Sequence, residues 1–179
     1  MPDKNRIDRR VERTQSSLWD AMFSLMHEKT WNEINVSKIC KRANVARSSF
    51  YLHFQNKQEL LDYGFELGIS NARTVILNQK FEKDCYATLD WLTHHIYDGK
   101  QYQGFKLRND EYIFSRFQNM VLMLFKEELQ HRKIRINDHT ILYVIGGAFS
   151  ILLEWVKSDY LQSPKNMAIN LNALTSRVF

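Results

Sequence analysis

Polar and basic side chains are concentrated in one short stretch of the chain, from residue 37 to residue 57. Arg47 is followed by Ser48 and Ser49, and further cations and hydroxyl groups precede and follow them. A guanidinium group can donate two parallel hydrogen bonds, and a hydroxyl group can donate or accept one. This stretch can therefore form specific hydrogen bonds with a binding partner and neutralise negative charge on it.

The excess positive charge of the chain lies in its first third. Residues 1–57 contain eleven Lys and Arg and six Asp and Glu, whereas residues 58–179 contain 14 of each, so the net charge of +5 belongs to the first segment. A basic module attached to a neutral body favours a polyanionic partner. A solvated basic surface without any ligand is an equally good interpretation of the charge alone.

The composition indicates an all-α protein. Only six Gly and two Pro interrupt 179 residues, of which 44% are hydrophobic, and apolar residues recur at helical spacing. About nine helices are expected, including 9–29, 57–77, 83–98, 110–131, 137–158 and a last one from 164 to about 177, with 99–109 as a loop. Asn137 and Ser163 are placed as N-caps of the last two.

Composition also bears on the compartment. Cys40 and Cys85 form no Cys-x-x-Cys pair, the N-terminus is polar and unlike a secretory signal, and no apolar run approaches the roughly 18 residues of a membrane span. We therefore expect a protein of the cytoplasm without a membrane partner.

Two short helices are predicted beside the basic stretch. Asn35 can cap a helix that ends at Ala43, Asn44 suits a turn that needs positive φ, and a further helix runs from 46 to 53. Two short helices joined by such a turn form a helix-turn-helix, here about 35–54, in which the second helix enters the major groove of DNA.

The stretch from Ile34 to Leu60 closely resembles the DNA-binding signature of the tetracycline-repressor family. The matching residues are Ile34, Val36, Ile39, Ala43, Val45, Phe50, Tyr51, His53, Phe54, Lys57 and Leu60, and with the preceding helix the match covers about 8–62. Asn44 and Ala46 depart from it, since the family usually has Gly at the first position and Ser or Thr at the second. More weakly, the run from Gly146 to Asp159 resembles a subgroup that includes regulators of dihydroxyacetone-kinase operons.

The resemblance implies a transcriptional regulator with a DNA-binding domain over 1–62 and a helical regulatory and dimerisation domain over 63–179. Most family members repress transcription and release DNA when a small molecule binds, but some activate, and some respond to a protein partner. An enzyme is disfavoured because no nucleophile elbow, phosphate loop or metal-ligand cluster stands out. A helical adaptor protein is disfavoured by the clustered positive charge.

Residues that contact DNA can be assigned from the expected docking of the second helix. Arg47, Ser48 and Ser49 are candidates for contacts with bases, and Ser37 matches a position that sometimes reaches a base. The candidates for phosphate contacts are Lys38, Lys41, Arg42, Tyr51, His53 and Lys57, the last three because the matching family positions contact the DNA backbone. Arg47 could instead bind a phosphate, and Lys41 and Arg42 could simply be solvated.

The predicted regulatory domain contains a candidate effector pocket. Its residues would be Trp91, His94, His95, Phe117, Met120 and Phe149, although packing in the core explains the same set. His94 and His95 are adjacent and point in different directions on a helix, so no metal is expected, and no cofactor is expected either.

A homodimer is expected because one head of this size reaches only a short half-site, whereas a pair can bind a palindromic operator in double-stranded DNA. Helix 137–158 carries two apolar stripes, of which one can pack inward and the other against a second copy, and Gly146 and Gly147 would permit close approach. The predicted interface residues are Leu152, Trp155, Met167, Leu171 and Leu174.

Overall fold

A computed structural model describes residues 4–78, 85–99 and 110–179, with side chains from residue 9 onward. These ranges contain eight α-helices, one short 3-10 helix at Trp31–Glu33 and no β-strand. The helices are α1 (Lys4–Glu28), α2 (Val36–Ala43), α3 (Arg47–Tyr51), α4 (Lys57–Leu77), α5 (Ala87–Asp98), α6 (Glu111–His131), α7 (Asp138–Lys157) and α8 (Pro164–Thr175). The predicted all-α class is confirmed.

The chain divides into two compact units. The first, called the head below, contains the residues up to Leu67 and a later segment that ends at Ile113, and the second, called the body, contains the remainder. The division falls within α4, a few residues beyond the expected boundary at 62. Leu60 and Leu61, in the first turn of α4, are fully buried in the core of the head, so this part of α4 packs with the head.

The head is built around one apolar core. Leu18 and Met22 of α1, Ile39 of α2 and Phe50 of α3 are completely buried there. Gly64 of α4 lies under the indole ring of Trp19, where a Cβ atom would come within 2.1 Å of the ring. A larger residue at position 64 would therefore force Trp19 out of its place against α4.

Local sequence signals account for three helix starts. The side chain of Asn35 accepts a hydrogen bond from the Lys38 N–H at 3.0 Å, that of Asn137 from Thr140 at 2.8 Å, and that of Ser163 from Asn166 at 3.3 Å. Each is a polar side chain in extended backbone that satisfies an amide of the first helical turn. All three predicted N-caps are confirmed.

Other helix limits differ from those expected. Helix α1 begins at Lys4 rather than at 9, and α3 covers Arg47–Tyr51 rather than 46–53, with Ala46 at the N-cap position. Helix α5 begins at Ala87 because the buried carboxylate of Glu128 accepts the N–H groups of Ala87 and Thr88, both at 2.8 Å. The predicted loop over 99–109 lies almost entirely outside the described residues. The described residues contain eight of the about nine helices that were expected.

Helix α7 corrects one expectation about apolar runs. By length and composition alone it could cross a membrane, contrary to the sequence prediction. Its residues on one side are nevertheless buried in the core of the body: Ile141, Val144, Ile145, Ala148, Phe149, Leu152 and Trp155. This burial is what a core helix shows, and core helices pass the same test of length and composition.

Most of the residues predicted for the dimer interface lie in the core of the body. Leu152, Trp155, Met167 and Leu171 are buried within the body, and of the five predicted residues only Leu174 is exposed. A side chain that its own chain already buries has little surface left for a second copy. The two helices expose other apolar residues instead, among them Leu142, Tyr143 and Ile169.

Candidate nucleic-acid interface

The turn between α2 and α3 is set by its backbone. Asn44 adopts the left-handed conformation with φ 54° and ψ 43°, and the Val45 N–H donates to the Cys40 carbonyl at 3.0 Å. Asn is among the few residues other than Gly that tolerate this conformation. The turn predicted at Asn44 is confirmed, so the departure from the family's usual Gly is conformationally tolerated.

Helix α3 has one face toward the core and one away from it. Phe50 is buried on the inner face, with its ring centroid 5.8 Å from that of Phe54, which is buried just beyond the helix. Arg47, Ser48 and Tyr51 are exposed, whereas Ser49 is half-buried. Of the three residues predicted to read bases, Arg47 and Ser48 therefore present the larger surface to solvent.

Arg47 is held along the outer face of α3 by its neighbour one turn later. Its Nη2 atom lies 3.4 Å from the Tyr51 hydroxyl group, and this hydrogen bond raises the pKa of Arg47. Tyr51 also packs edge-on against Phe50, with centroids 5.4 Å apart. His53 is half-buried and its ring lies 6.4 Å from that of Phe54, so it sits at the edge of the core.

Helix α2 contributes an exposed polar surface. Ser37, Lys38 and Lys41 are all exposed. The Lys38 ammonium group donates to the Glu33 carbonyl at 2.6 Å, which holds the lysine near the start of the helix. Because backbone N–H groups at a helix start favour anions, a phosphate contact here remains a physically sound prediction.

Arg42 is bound to α1. Its guanidinium group makes two hydrogen bonds to the Glu28 carboxylate, at 2.8 and 2.7 Å, and a third to the Ser24 hydroxyl group at 2.7 Å. The same contact lowers the pKa of Glu28. This bidentate pair shows that Arg42 joins α2 to α1, and a phosphate contact would have to compete with Glu28.

Lys57 is also engaged within the head. Its ammonium group donates to the carbonyl groups of Trp31 and Ile34, at 2.6 and 2.8 Å, and lies 4.1 Å from the centroid of the Trp31 indole ring. Burial lowers the pKa of Lys57, and the charge of Asp110 opposes that effect. Two of its three N–H donors are thus already used, which the expected phosphate contact did not anticipate.

Trp31 and Asp110 are the head residues that sequence reasoning missed. The Asp110 carboxylate accepts hydrogen bonds from the Trp31 N–H and from the Ile113 N–H, the latter at 3.2 Å, and the Trp31 ring stacks on Tyr112 at 5.3 Å. An Asp just before a helical pattern is a recognisable N-cap signal. Its contact with a residue 79 positions earlier has no local signal in the sequence.

The body brings most of the predicted pocket residues together. Ring contacts connect Trp91 to His95 at 4.8 Å, His95 to Phe117 at 5.9 Å, and Phe117 to Phe149 at 5.8 Å. Desolvation by the surrounding protein lowers the pKa of His95, which favours the neutral imidazole. Met120 is buried on the same helix as Phe117.

His94 contacts Asp90 on its own helix. Its Nδ1 atom contacts Asp90, 2.9 Å from the carbonyl oxygen and 3.7 Å from the carboxylate. Phe114, which the sequence prediction omitted, packs against Phe149 at 5.6 Å. Among the described residues there is no group of three His, Cys, Asp or Glu that could hold a metal ion.

The head matches a known family of regulatory proteins. Residues 18–63 match the family model described as "Bacterial regulatory proteins, tetR family". The chain is 41% identical over 59 residues to the uncharacterized HTH-type transcriptional regulator YxbF of Bacillus subtilis, and 40% identical over 53 residues to the HTH-type dhaKLM operon transcriptional activator DhaS of Lactococcus lactis. These matches cover 32% and 30% of this chain, but only 16% and 28% of the relatives.

The fold of the whole chain is that of solved proteins of the same type. It superposes on a TetR transcriptional regulator from Streptococcus agalactiae with a TM-score of 0.69 and 19% identity, covering 97% of this chain and 99% of the other. The transcriptional regulator FadR of Bacillus subtilis, solved with stearoyl-CoA, superposes with a TM-score of 0.59 and 19% identity. This match covers 92% of this chain and 98% of the other. The head thus matches the tetR family model over residues 18–63, and the fold of the chain is that of solved regulators of this type.

Proposed function

We propose that this chain is a sequence-specific DNA-binding transcriptional regulator whose α3 enters the major groove. The observation that carries the proposal is the outer face of α3. This face presents Arg47 and Ser48 to solvent while Phe50 anchors the inner face in the core. Exposed Lys38 and Lys41 on α2 supply positive charge for contacts with phosphates. Ser37, Ser49, Tyr51 and His53 remain candidates for further contacts with DNA.

The regulator would act as a homodimer on a palindromic operator. The residues proposed for the interface are exposed residues of α7 and α8, called the α7–α8 surface below: Leu142, Tyr143, Ile169 and Leu174, with Gly146 and Gly147. A Cβ atom at either glycine would meet nothing within 4 Å in this chain, so both positions leave room for a neighbouring helix. A surface of this composition, repeated on two copies, suits a two-fold interface.

A small molecule bound in the body would control DNA binding. We propose that the DNA-bound protein represses transcription. The contacts among Trp91, His95, Phe117 and Phe149 provide apolar and aromatic surface with one polar group, which is typical of ligand sites. The solved relative from Bacillus subtilis holds stearoyl-CoA, which supports a small-molecule effector. Dense packing of the same rings supports a structural role for Phe117 and Phe149.

Activation is the second candidate for the sign of regulation. The relative from Lactococcus lactis is an activator, and it matches the head of this chain at 40% identity. The alternative to a small-molecule effector is a protein partner that controls DNA binding. Because the family consists of regulatory proteins, we propose a cytoplasmic regulator rather than an enzyme, with no cofactor.

A footprint on the DNA that flanks its own gene tests this proposal. The wild-type protein should protect one palindromic segment, and Arg47→Ala should lose that protection at concentrations where Lys165→Ala, changed at an exposed lysine on α8, retains it. Transcription from the protected promoter, with and without the protein, then separates repression from activation. Protection of no segment, or equal protection by Arg47→Ala, would contradict the proposed role of α3.

A further inference from the structure

The end of α3 carries an apolar side chain that the head leaves in solvent. Leu52 is 81% exposed, whereas Leu18, Leu60 and Leu61 of the same unit are completely buried. A single exposed leucine is ordinary on a protein surface, so exposure alone does not indicate a function. Its position on the helix is what gives it significance.

Leu52 lies on the same face as the residues proposed to read bases. Its backbone, with φ −75° and ψ −19°, continues the helical conformation by one residue beyond α3. Residues 47, 48, 51 and 52 therefore form one stripe at helical spacing, and the buried Phe50 and Phe54 fix the opposite face. Tyr51, beside Leu52, is also about half exposed.

The other residues of this stripe can form hydrogen bonds, but Leu52 cannot. Along the edges of base pairs in the major groove, the apolar group is the 5-methyl of thymine. Leu52 is four residues from Ser48, about 6 Å along the helix, and base pairs stack about 3.4 Å apart. With α3 running along the groove, the side chain would reach a base pair roughly two steps from the one that Ser48 meets.

We propose that Leu52 contacts the 5-methyl group of a thymine and thereby selects an A·T pair at one position of each half-site. This inference rests on the proposed function, because it requires α3 to lie in the major groove. The contact removes apolar surface of both the leucine and the methyl group from water. Burial of one methyl-sized group corresponds to about a fourfold change in affinity.

The test begins with an operator selected from random duplexes by the intact wild-type protein. Each conserved thymine is then replaced in turn by deoxyuridine, which removes only the methyl group. For the wild type, one such replacement should weaken binding about fourfold. For Leu52→Ala, binding to the thymine duplex should already be weaker by at least that factor, and the same replacement should cost nothing further.

Leu161→Ala is the matched control, because Leu161 is 85% exposed in the segment between α7 and α8. It should bind both duplexes like the wild type. The inference is overturned if no thymine shows the loss in the wild type, or if the loss persists in Leu52→Ala. Equal weakening of Leu52→Ala on operator and random DNA would place Leu52 against the sugar–phosphate backbone and also overturns it. If the wild type selects no duplex at all, the proposed function itself fails.

Discussion

Lys57 shows how one residue can fit a family pattern and still have a different immediate role. Its ammonium group is hydrogen-bonded to the carbonyl groups of Trp31 and Ile34 and lies over an aromatic ring. These contacts join the start of α4 to the segment between α1 and α2. We infer that this lysine stabilises the head and does not bind a phosphate.

The variant Lys57→Ala tests that inference. Loss of the charged donor leaves two carbonyl groups without their partner, so the free energy of unfolding should fall by about 1 to 3 kcal/mol. The salt dependence of DNA binding should stay the same, because no phosphate contact is lost. Urea denaturation and binding titrations at several salt concentrations measure the two effects.

Lys41→Ala is the matched comparison. Lys41 is exposed on α2, so its removal should leave stability unchanged and lower the salt slope by about 1 if it binds a phosphate. If Lys57→Ala instead lowers the slope and leaves stability intact, Lys57 belongs with the phosphate contacts and the structural interpretation is wrong.

Helix α3 is short and lacks a side-chain cap at its start. Ala46 occupies the N-cap position in extended backbone, with φ −64° and ψ 143°, but offers no oxygen. Ala46→Ser should let a hydroxyl group accept an amide hydrogen bond of the first turn and stabilise the protein by about 1 kcal/mol. Thermal or urea unfolding measures the change. Ala46→Val, which adds bulk without an acceptor, should give no such gain, and an equal gain for both variants would rule out capping as the cause.

Helix positions and ends show what local sequence can and cannot determine. The starts at Asn35, Asn137 and Ser163 follow from one side chain and the amides of the next turn, so they were predictable. The start of α5 was not, because its cap is Glu128, which lies on α6 and is fully buried with Arg132 beside it. The role of the buried Glu128 carboxylate as a cap cannot be predicted without knowing its partners, which are the N–H groups of Ala87 and Thr88 and the Arg132 guanidinium group.

The outward position of Arg47 and Ser48 was predictable for a similar reason, whereas the inward face of α7 was not. The turn at Asn44 is set by local sequence, and with Phe50 packed in the core, Arg47 and Ser48 on α3 are exposed. Helix α7 carries two neighbouring apolar stripes, and periodicity alone does not decide which one packs inward. In the structure, the stripe that contains Leu152 and Trp155 packs into the body, although both residues were predicted for the dimer interface.

For the whole molecule, the α7–α8 surface makes a definite claim about assembly. The wild-type protein should have about twice the 21.4 kDa mass of one chain when light scattering is measured at micromolar concentration. Leu142→Glu combined with Tyr143→Glu should give a monomer, because both side chains are exposed in one chain and charge would oppose burial between two. Helical content measured by circular dichroism should stay the same.

Leu161→Glu is the control for this surface, since it introduces the same charge at a residue exposed outside it. It should remain a dimer. A monomeric wild type, or a double variant that stays dimeric with full affinity for the operator, would show that the chain does not assemble through this surface.

The central claim is that the head recognises a DNA sequence through α3. The most direct measurement is the dissociation constant of the intact protein for its selected operator and for a scrambled duplex of equal length, by fluorescence anisotropy over a range of salt concentrations. We expect the operator to bind about a thousandfold more tightly or better, with affinity for both duplexes falling steeply as salt rises. Arg47→Ala should reduce the difference in dissociation constant between the operator and the scrambled duplex, because it removes a contact with a base. Equal affinity of the wild-type protein for operator and scrambled DNA at every salt concentration would contradict this account.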